Sequence, residues 1–216
     1  MLREVRVENF TDIPRMIEAG ADRIELNNDL GAGGTTPSFG VIKQSINYVH
    51  QHQIPVVVMI RPRGGNFIYT DDEFTIMKQD LQLAAMLGAD GVALGCLTAD
   101  KQLDKVKMTK LCAMARLLKL DLVLHMAFDE LSEDQQLELI PWLVEHDVTR
   151  ILTHGGPLGT DTDILDNSAR LKKLISATDD KIEILPGGGI TVENYERIAT
   201  KLGVTQVHGT KIVSMN

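Results

Sequence analysis

Eight short runs rich in Val, Ile and Leu alternate with helical stretches along the 216 residues, and this alternation limits the fold more than any single motif does. The runs cover residues 2–7, 23–26, 55–60, 91–94, 122–125, 150–152, 181–185 and 205–208, and their starts lie between 21 and 36 residues apart. Each interval holds one strand, one helix and two loops. Strict strand–helix alternation implies parallel strands joined by right-handed crossovers. Several runs, Val56-Val57-Val58-Met59-Ile60 above all, are apolar on both faces, as strands covered by helices must be. Eight such units predict an α/β fold of the (β/α)8 TIM-type barrel class, with residues 1–216 as a single domain. A barrel of this kind usually takes about 250 residues. Only eight residues follow His208, so the eighth helix is expected to be short or missing.

The helices have readable ends. Pro14 sits in the first turn of the helix opened by Thr11-Asp12, where its missing N–H is harmless. Asp71-Asp72-Glu73 matches a helix dipole, and Ser132-Glu133-Asp134-Gln135 resembles a capping box. Thr191 is expected to start the seventh helix. A weak repeat links Ala19-Gly20-Ala21-Asp22-Arg23-Ile24, Leu87-Gly88-Ala89-Asp90-Gly91-Val92 and Leu202-Gly203-Val204-Thr205-Gln206-Val207, with His146-Asp147-Val148-Thr149-Arg150-Ile151 as a degenerate copy. It reads either as an echo of alternating barrel strands or as the turn that any helix-to-strand exit prefers.

Composition excludes several classes. Twenty-two basic against thirty acidic residues give a net charge of −8, and no long basic run is present, which disfavours a nucleic-acid binder. No apolar run approaches the about 18 residues of a membrane span. The start of the chain lacks the apolar stretch of a secretory signal, and two cysteines make no disulfide framework, so a cytoplasmic protein is expected.

In such barrels the reacting groups sit at the carboxyl ends of the strands. Reading those ends in order gives Glu8 and Asn9, Glu25 and Asn27, Arg61 and Arg63, Gly95 and Cys96, His125 and Asp129, Thr153 and His154, Gly187-Gly188-Gly189, and His208 and Gly209. If Ile24 and Leu26 face the helices, Glu25 points into the barrel, where a carboxylate needs a partner, and Arg61 on the next strand is expected to supply it. That pair reads either as a stabilising ion pair or as an anion or metal subsite. Arg61-Pro62-Arg63-Gly64-Gly65 offers two guanidiniums for a carboxylate or phosphate, or is a charged turn. His125 is a candidate general base with Asp129 to orient it, alongside Glu25 as a catalytic candidate; a strand-end His is also often a plain core residue. Gly155-Gly156 and Gly187-Gly188-Gly189 sit where late barrel strands hold phosphates, or are tight turns. Cys96 and Met126, with His125 and His208, are weak candidates for soft Cu(I) ligands, whereas Cys112 reads as core.

In Ala19–Leu26 (AGADRIEL), Gly33-Gly34-Thr35-Thr36-Pro37-Ser38, Ile60-Arg61-Pro62-Arg63-Gly64-Gly65, Tyr69-Thr70-Asp71-Asp72-Glu73, Gly91-Val92-Ala93-Leu94-Gly95, His125-Met126-Ala127-Phe128-Asp129, Arg150-Ile151-Leu152-Thr153, Pro186-Gly187-Gly188-Gly189 and Val207-His208-Gly209, the sequence resembles the copper homeostasis protein CutC family, in order over nearly the whole chain. The resemblance implies a cytoplasmic (β/α)8 barrel, often oligomeric, associated with copper tolerance or copper binding, and no established reaction. Many members carry Cys in the first strand and directly after the Glu-Leu of the second; here those places hold Arg6 and Asn27. Three functions stay open: a copper-homeostasis protein that binds copper, a barrel enzyme acting on a small anionic or phosphorylated substrate, and a non-catalytic oligomeric scaffold. The short end of the chain predicts that Val5, Val7 and Val207 are poorly covered and that a homo-oligomer buries them.

Overall fold

The computed structural model describes residues 1–157, 159 and 162–214. The chain runs β1 (Leu2–Glu8), α1 (Ile13–Glu18), β2 (Arg23–Asn27), α2 (Phe39–Gln51), β3 (Val56–Met59), α3 (Asp71–Met86), β4 (Gly91–Leu94) and α4 (Lys105–Leu117). It continues with β5 (Asp121–Leu124), α5 (Glu133–Glu145), β6 (Arg150–Thr153), α6 (Ser168–Thr178), β7 (Glu183–Pro186), α7 (Tyr195–Leu202) and β8 (Gln206–Gly209). Every strand pair is parallel, in the order β7-β6-β5-β4-β3-β2-β1-β8. A single bridge from Gly187 to His208 brings the two edge strands together, so the eight strands form a nearly closed TIM-type barrel.

Strand alternation sorts the core into two layers. Val5, Val7, Ile24, Leu26, Val56, Val58, Val92, Leu94, Leu122, Leu124, Ile151, Ile184 and Val207 join the helices in one large apolar cluster. Val57, Met59, Ala93, Val123, Leu152 and Leu185 form a second, smaller cluster inside the barrel. Helix ends follow the sequence closely: Thr70 with Glu73 caps α3 and Ser132 with Gln135 caps α5, each as a full capping box. The repeat is exit-turn chemistry. Gly20, Gly88 and Gly203, and Asp147 in the degenerate copy, all adopt positive φ between 57° and 92° where a helix turns toward the next strand. In two copies the following Asp accepts a neighbouring strand's N–H, Arg3 to Asp22 at 2.9 Å and Val56 to Asp90 at 2.7 Å.

Two expectations need correction. Thr191 does not begin α7; it forms a turn in which its N–H meets Asn194 Oδ1 at 2.8 Å, and the helix starts at Tyr195. No eighth helix follows β8 among the described residues, but the seam is not exposed. Val5 and Val207 are 0% and Val7 2% accessible in the single chain. The tail after β8 lies against the loop before α7: Thr191 pairs with Lys211, Val192 N–H donates to the Lys211 carbonyl at 2.8 Å, and Ile212 and Val213 are buried in the same apolar cluster as Val5, Val7 and Val207.

Ile212 is wholly buried in that tail, so Ile212→Ala is expected to cost about 2–5 kcal/mol in urea unfolding, against near-neutral substitution of exposed Lys211.

Candidate functional site

The barrel interior is divided by polarity. On the side of β3 to β7 its middle layer is apolar, built from Val57, Met59, Ala93, Val123, Leu152 and Leu185, above a buried Arg150 that pairs with Asp121 at 2.9 Å. On the side of β8, β1 and β2 it carries charge. The strand registers set Glu4 opposite Arg23 on one side and opposite His208 on the other, and Arg6 opposite Glu25. Glu4 is 1% exposed and forms an ion pair with Arg23 Nε through one oxygen. Its other oxygen accepts from His208 Nδ1 at 2.7 Å. Burial alone would raise the Glu4 pKa, but the His208 hydrogen bond and the charges of Arg23 and His208 prevail and lower it to about 2. Burial likewise opposes the charged form of His208, yet the fields of Glu25 and Glu4 raise its pKa. Arg23 also donates to Gln206 Oε1 at 2.7 Å, and Gln206 donates to Glu183, so the network reaches the floor of the barrel.

Above this network a cavity of 460 Å³ opens at the carboxyl ends of the strands. Arg6, Glu25, Arg61, His125 and His208 contribute polar groups to its wall, and Met59, Phe67, Met126 and Leu152 the apolar surface. Glu25 accepts from Asn27 Nδ2 at 2.9 Å through Oε2, which lies 3.9 Å from His208 Nε2. Its second oxygen, Oε1, is buried with no hydrogen-bond partner among the described residues. His125 Nδ1 accepts from the Ala127 N–H at 3.1 Å, so the neutral ring carries its proton on Nε2, which is also unpartnered. Burial and the nearby Arg61 charge lower the His125 pKa to about 3, and the ring stays neutral at physiological pH. Gly95 permits this placement, since a Cβ there would lie 2.9 Å from His125 Cε1.

The two arginines singled out by the sequence are loop clamps. Arg61 does not pair with Glu25. Its guanidinium donates to the carbonyls of Ala32 at 3.1 Å, Gly34 at 3.0 Å and Gly65 at 2.6 Å, and lies over the Phe67 ring. Only Nε remains without a partner. The turn carbonyls captured Arg61 because two glycine loops, 31–34 and 64–65, fold against each other around it. Arg63 is held by Glu73 and by the carbonyls of Gly64, Asn66 and Ile68, and it does not line the cavity. Asp129 does not reach His125 either. It accepts from Thr153 Oγ1 and from the His154 N–H at 2.8 Å, and burial, only partly offset by these bonds, raises its pKa to about 6.

The glycine loops face protein. A Cβ on Gly155 or Gly156 would run into Leu171 or Asn167, and one on Gly187 or Gly188 into Leu152 or His154. The Gly155 N–H is taken by Thr153 Oγ1, and the Gly189 carbonyl by Asn194. Cys96 lies outside the cavity, fully buried with Sγ 4.0 Å from Met77 Sδ, while Met126 lines the cavity. The two therefore do not converge. Burial pushes the Cys96 thiol up to about 12 and Cys112 to about 11, so neither offers a thiolate.

Glu4, Glu25 and His208 do bring three donor atoms within 4.8 Å of one another. Their hard carboxylate and imidazole donors do not suit Cu(I), which prefers sulfur. Glu4 is already spent on Arg23 and His208, and Arg6 adds positive charge beside them. Two guanidiniums, Arg6 and Arg23, thus stand beside the two carboxylates, and their charge disfavours a further cation. Arg6 is the group the strand-end reading missed. It lines the cavity and has no hydrogen bond or ion pair among the described residues. Its position two residues after Glu4 on an inward-facing alternation was the available signal.

Removing Glu4 leaves Arg23 and His208 buried without their counter-charge, so Glu4→Gln is expected to cost about 3–5 kcal/mol in denaturant unfolding. His125 gives a pH signature. Its folded pKa is depressed, so its contribution is complete above the unfolded value near 6.5 and is lost as pH falls toward 3. Thermal unfolding of His125→Gln is expected to lose less stability than wild type between pH 6.5 and 4.

The model of the CutC family matches residues 1–213. A CutC family protein of Enterococcus faecalis is 52% identical over 213 residues, covering 99% of this chain and all of the relative. The human copper homeostasis protein cutC homolog is 40% identical over 210 residues, covering 96% of this chain and 72% of the relative. A solved structure of the copper homeostasis protein CutC from Streptococcus agalactiae superposes with a TM-score of 0.93 at 44% identity, over 99% of this chain and all of that one. A deoxyribose phosphate aldolase from Aeropyrum pernix superposes with a TM-score of 0.71 at 9% identity, over 96% of this chain and 85% of that one, and shares the barrel alone. With its interlocked glycine loops, arginine clamps and buried Glu4–His208 pair set in that barrel, the chain belongs to the CutC family of copper homeostasis proteins.

Proposed function

We propose that this chain binds a small anionic metabolite at the barrel mouth and acts on it as an enzyme, and that its place in copper homeostasis runs through that metabolite. One observation carries the reading: an unpaired Arg6 guanidinium shares a 460 Å³ cavity with Glu25, Arg61 and His125, each of which keeps one buried polar atom without a partner. Unpartnered buried groups cost free energy unless a ligand meets them. The apolar wall opposite excludes water and strengthens whatever electrostatic contact the ligand makes. Candidate roles follow position. Glu25 and His125 face the reacting part of the ligand, Arg6 holds its charge, and His208 stands behind Glu25. Arg61 contributes Nε only, while Arg63, Gly155, Gly156, Gly187, Gly188, Gly189 and Asp129 support the loops and strand ends.

Direct copper binding is the second reading, supported by the Glu4–Glu25–His208 grouping and by Met126 at the mouth. A cytoplasmic location fits two free, buried cysteines, and no described helix is long and apolar enough to cross a membrane. A homo-oligomer is retained on different grounds from the seam: Ile76 and Met86 on α3 and Val106 and Leu117 on α4 are exposed on adjacent helices.

Calorimetric titration with pyruvate and with inorganic phosphate is expected to show binding that Arg6→Ala weakens about 10- to 100-fold, the loss of one charged hydrogen-bonding group. Unchanged affinity in Arg6→Ala would remove the anion site. An anaerobic Cu(I) titration against a competing chelator is expected to find no tighter protein site; stoichiometric Cu(I) capture lost in Met126→Ala would favour the second reading. Light scattering at micromolar concentration checks the oligomer, and a monomer would end that part.

A further inference from the structure

We propose that Glu25 is a proton-transfer group for small 2-oxo acids, with Glu4 and His208 as its positioning pair; this rests on the anion-site reading above and names the substrate class. The Glu25 carboxylate is fixed at one oxygen and open at the other. Asn27 Nδ2 holds Oε2 at 2.9 Å, and Oε1 is a buried acceptor with nothing to accept from. A buried acceptor on a cavity wall calls for a ligand hydrogen. Two buried, unpartnered donors belong to residues that line the same cavity and suit a ligand oxygen: His125 Nε2–H, whose tautomer the Ala127 N–H dictates, and Arg61 Nε–H. The free guanidinium of Arg6 calls for a carboxylate. A base paired with a neutral imidazole that polarises a carbonyl is a known solution to proton abstraction beside C=O. A 2-oxo acid presents all three features in one short molecule, and Met59, Met126 and Leu152 offer apolar surface to its alkyl end.

The step balances without a co-reactant. Glu25 Oε1 takes a proton from C3 of the bound acid, breaking the C–H bond. That electron pair forms the C2=C3 double bond, and the carbonyl π pair moves onto oxygen, where His125 Nε2–H and Arg61 Nε–H meet the growing charge. Return of the proton regenerates the keto acid, so the minimal activity is enolisation. The groups around Glu25 come from each flanking strand and its loop: Glu4 and Arg6 on β1, Asn27 on its own strand, Arg61 just after β3, and His208 on β8. His208 Nε2 lies 3.9 Å from Glu25 Oε2, and Glu4 fixes the ring through Nδ1, so the pair positions the imidazole edge beside the Glu25 carboxylate.

The test is hydrogen exchange at C3 of 2-oxobutanoate in D₂O, followed by proton NMR with the full chain, together with calorimetric binding of the same acid. Wild type is expected to exchange at least about tenfold faster than buffer, Glu25→Gln to bind the acid and lose the exchange, and Glu25→Asp to regain part of it. Glu4→Asp is expected to fold and to shift the pH profile of exchange, a readout that a merely structural role would leave in place. Binding without exchange in wild type, or exchange retained in Glu25→Gln, would overturn proton transfer while leaving the anion site standing. Failure of the acid to bind would overturn this substrate class, and failure of phosphate and pyruvate as well would take the anion site with it. An unchanged pH profile in Glu4→Asp would remove Glu4 and His208 from their positioning role.

Discussion

The buried carboxylate of Glu4 is the constraint on which the rest of the barrel interior depends. It sits where β8, β1 and β2 meet, and the strand registers put Arg23 and His208 on either side of it. A lone carboxylate there would be intolerable in a low-dielectric interior. Paired with Arg23 and hydrogen-bonded to His208, it stays ionised and, together with Glu25, raises the His208 pKa against the effect of burial. The three strands that close the barrel are therefore joined by charge as well as by backbone ladders. The apolar layer from Val57 round to Leu185 needs no such arrangement, and the charge below it, Arg150, is met by Asp121. The split between a charged and an apolar half makes the cavity above it two-faced, and that asymmetry gives the mouth its capacity to orient a small ligand.

The division of labour among the arginines follows from the loops. Arg61 and Arg63 stand in the most distinctive stretch of the sequence, yet carbonyl oxygens and Glu73 absorb nearly all their donors. The loop after β2 and the loop after β3 interlock through Arg61, with Gly64 tight against Ala32. Motifs far apart in sequence thus turn out to be halves of one clamp. Arg6 makes no such contact and keeps its charge for the cavity. A guanidinium's function is set by how many acceptors the fold brings to it, and the described residues supply many to Arg61 and none to Arg6.

Family membership and local chemistry have to be read together. The relatives carry a copper-homeostasis name, but the two thiols here are buried, protonated and distant from the mouth. Arg6 lines the cavity wall, and Asn27 braces Glu25 beside it. The proposed anion site, with a role in copper tolerance through a small metabolite, is the reading that reconciles these groups with the family.

The sequence by itself determined the barrel. Period-two apolar alternation, helix caps and exit turns are local, and each is legible because it depends on residues a few positions apart; even the inward aim of Glu25, Arg61 and His125 followed from alternation alone. What only the tertiary structure decided was partnership. Glu25 meets Asn27 and His208 rather than Arg61, Asp129 serves Thr153 and His154 rather than His125, and the tail at Lys211 joins the loop before α7 while Ile212 enters the core. These choices join residues up to 204 positions apart, as Glu4 and His208 show. Direction is a property of one strand, whereas a buried charge is satisfied by whichever groups closure of the barrel sets beside it.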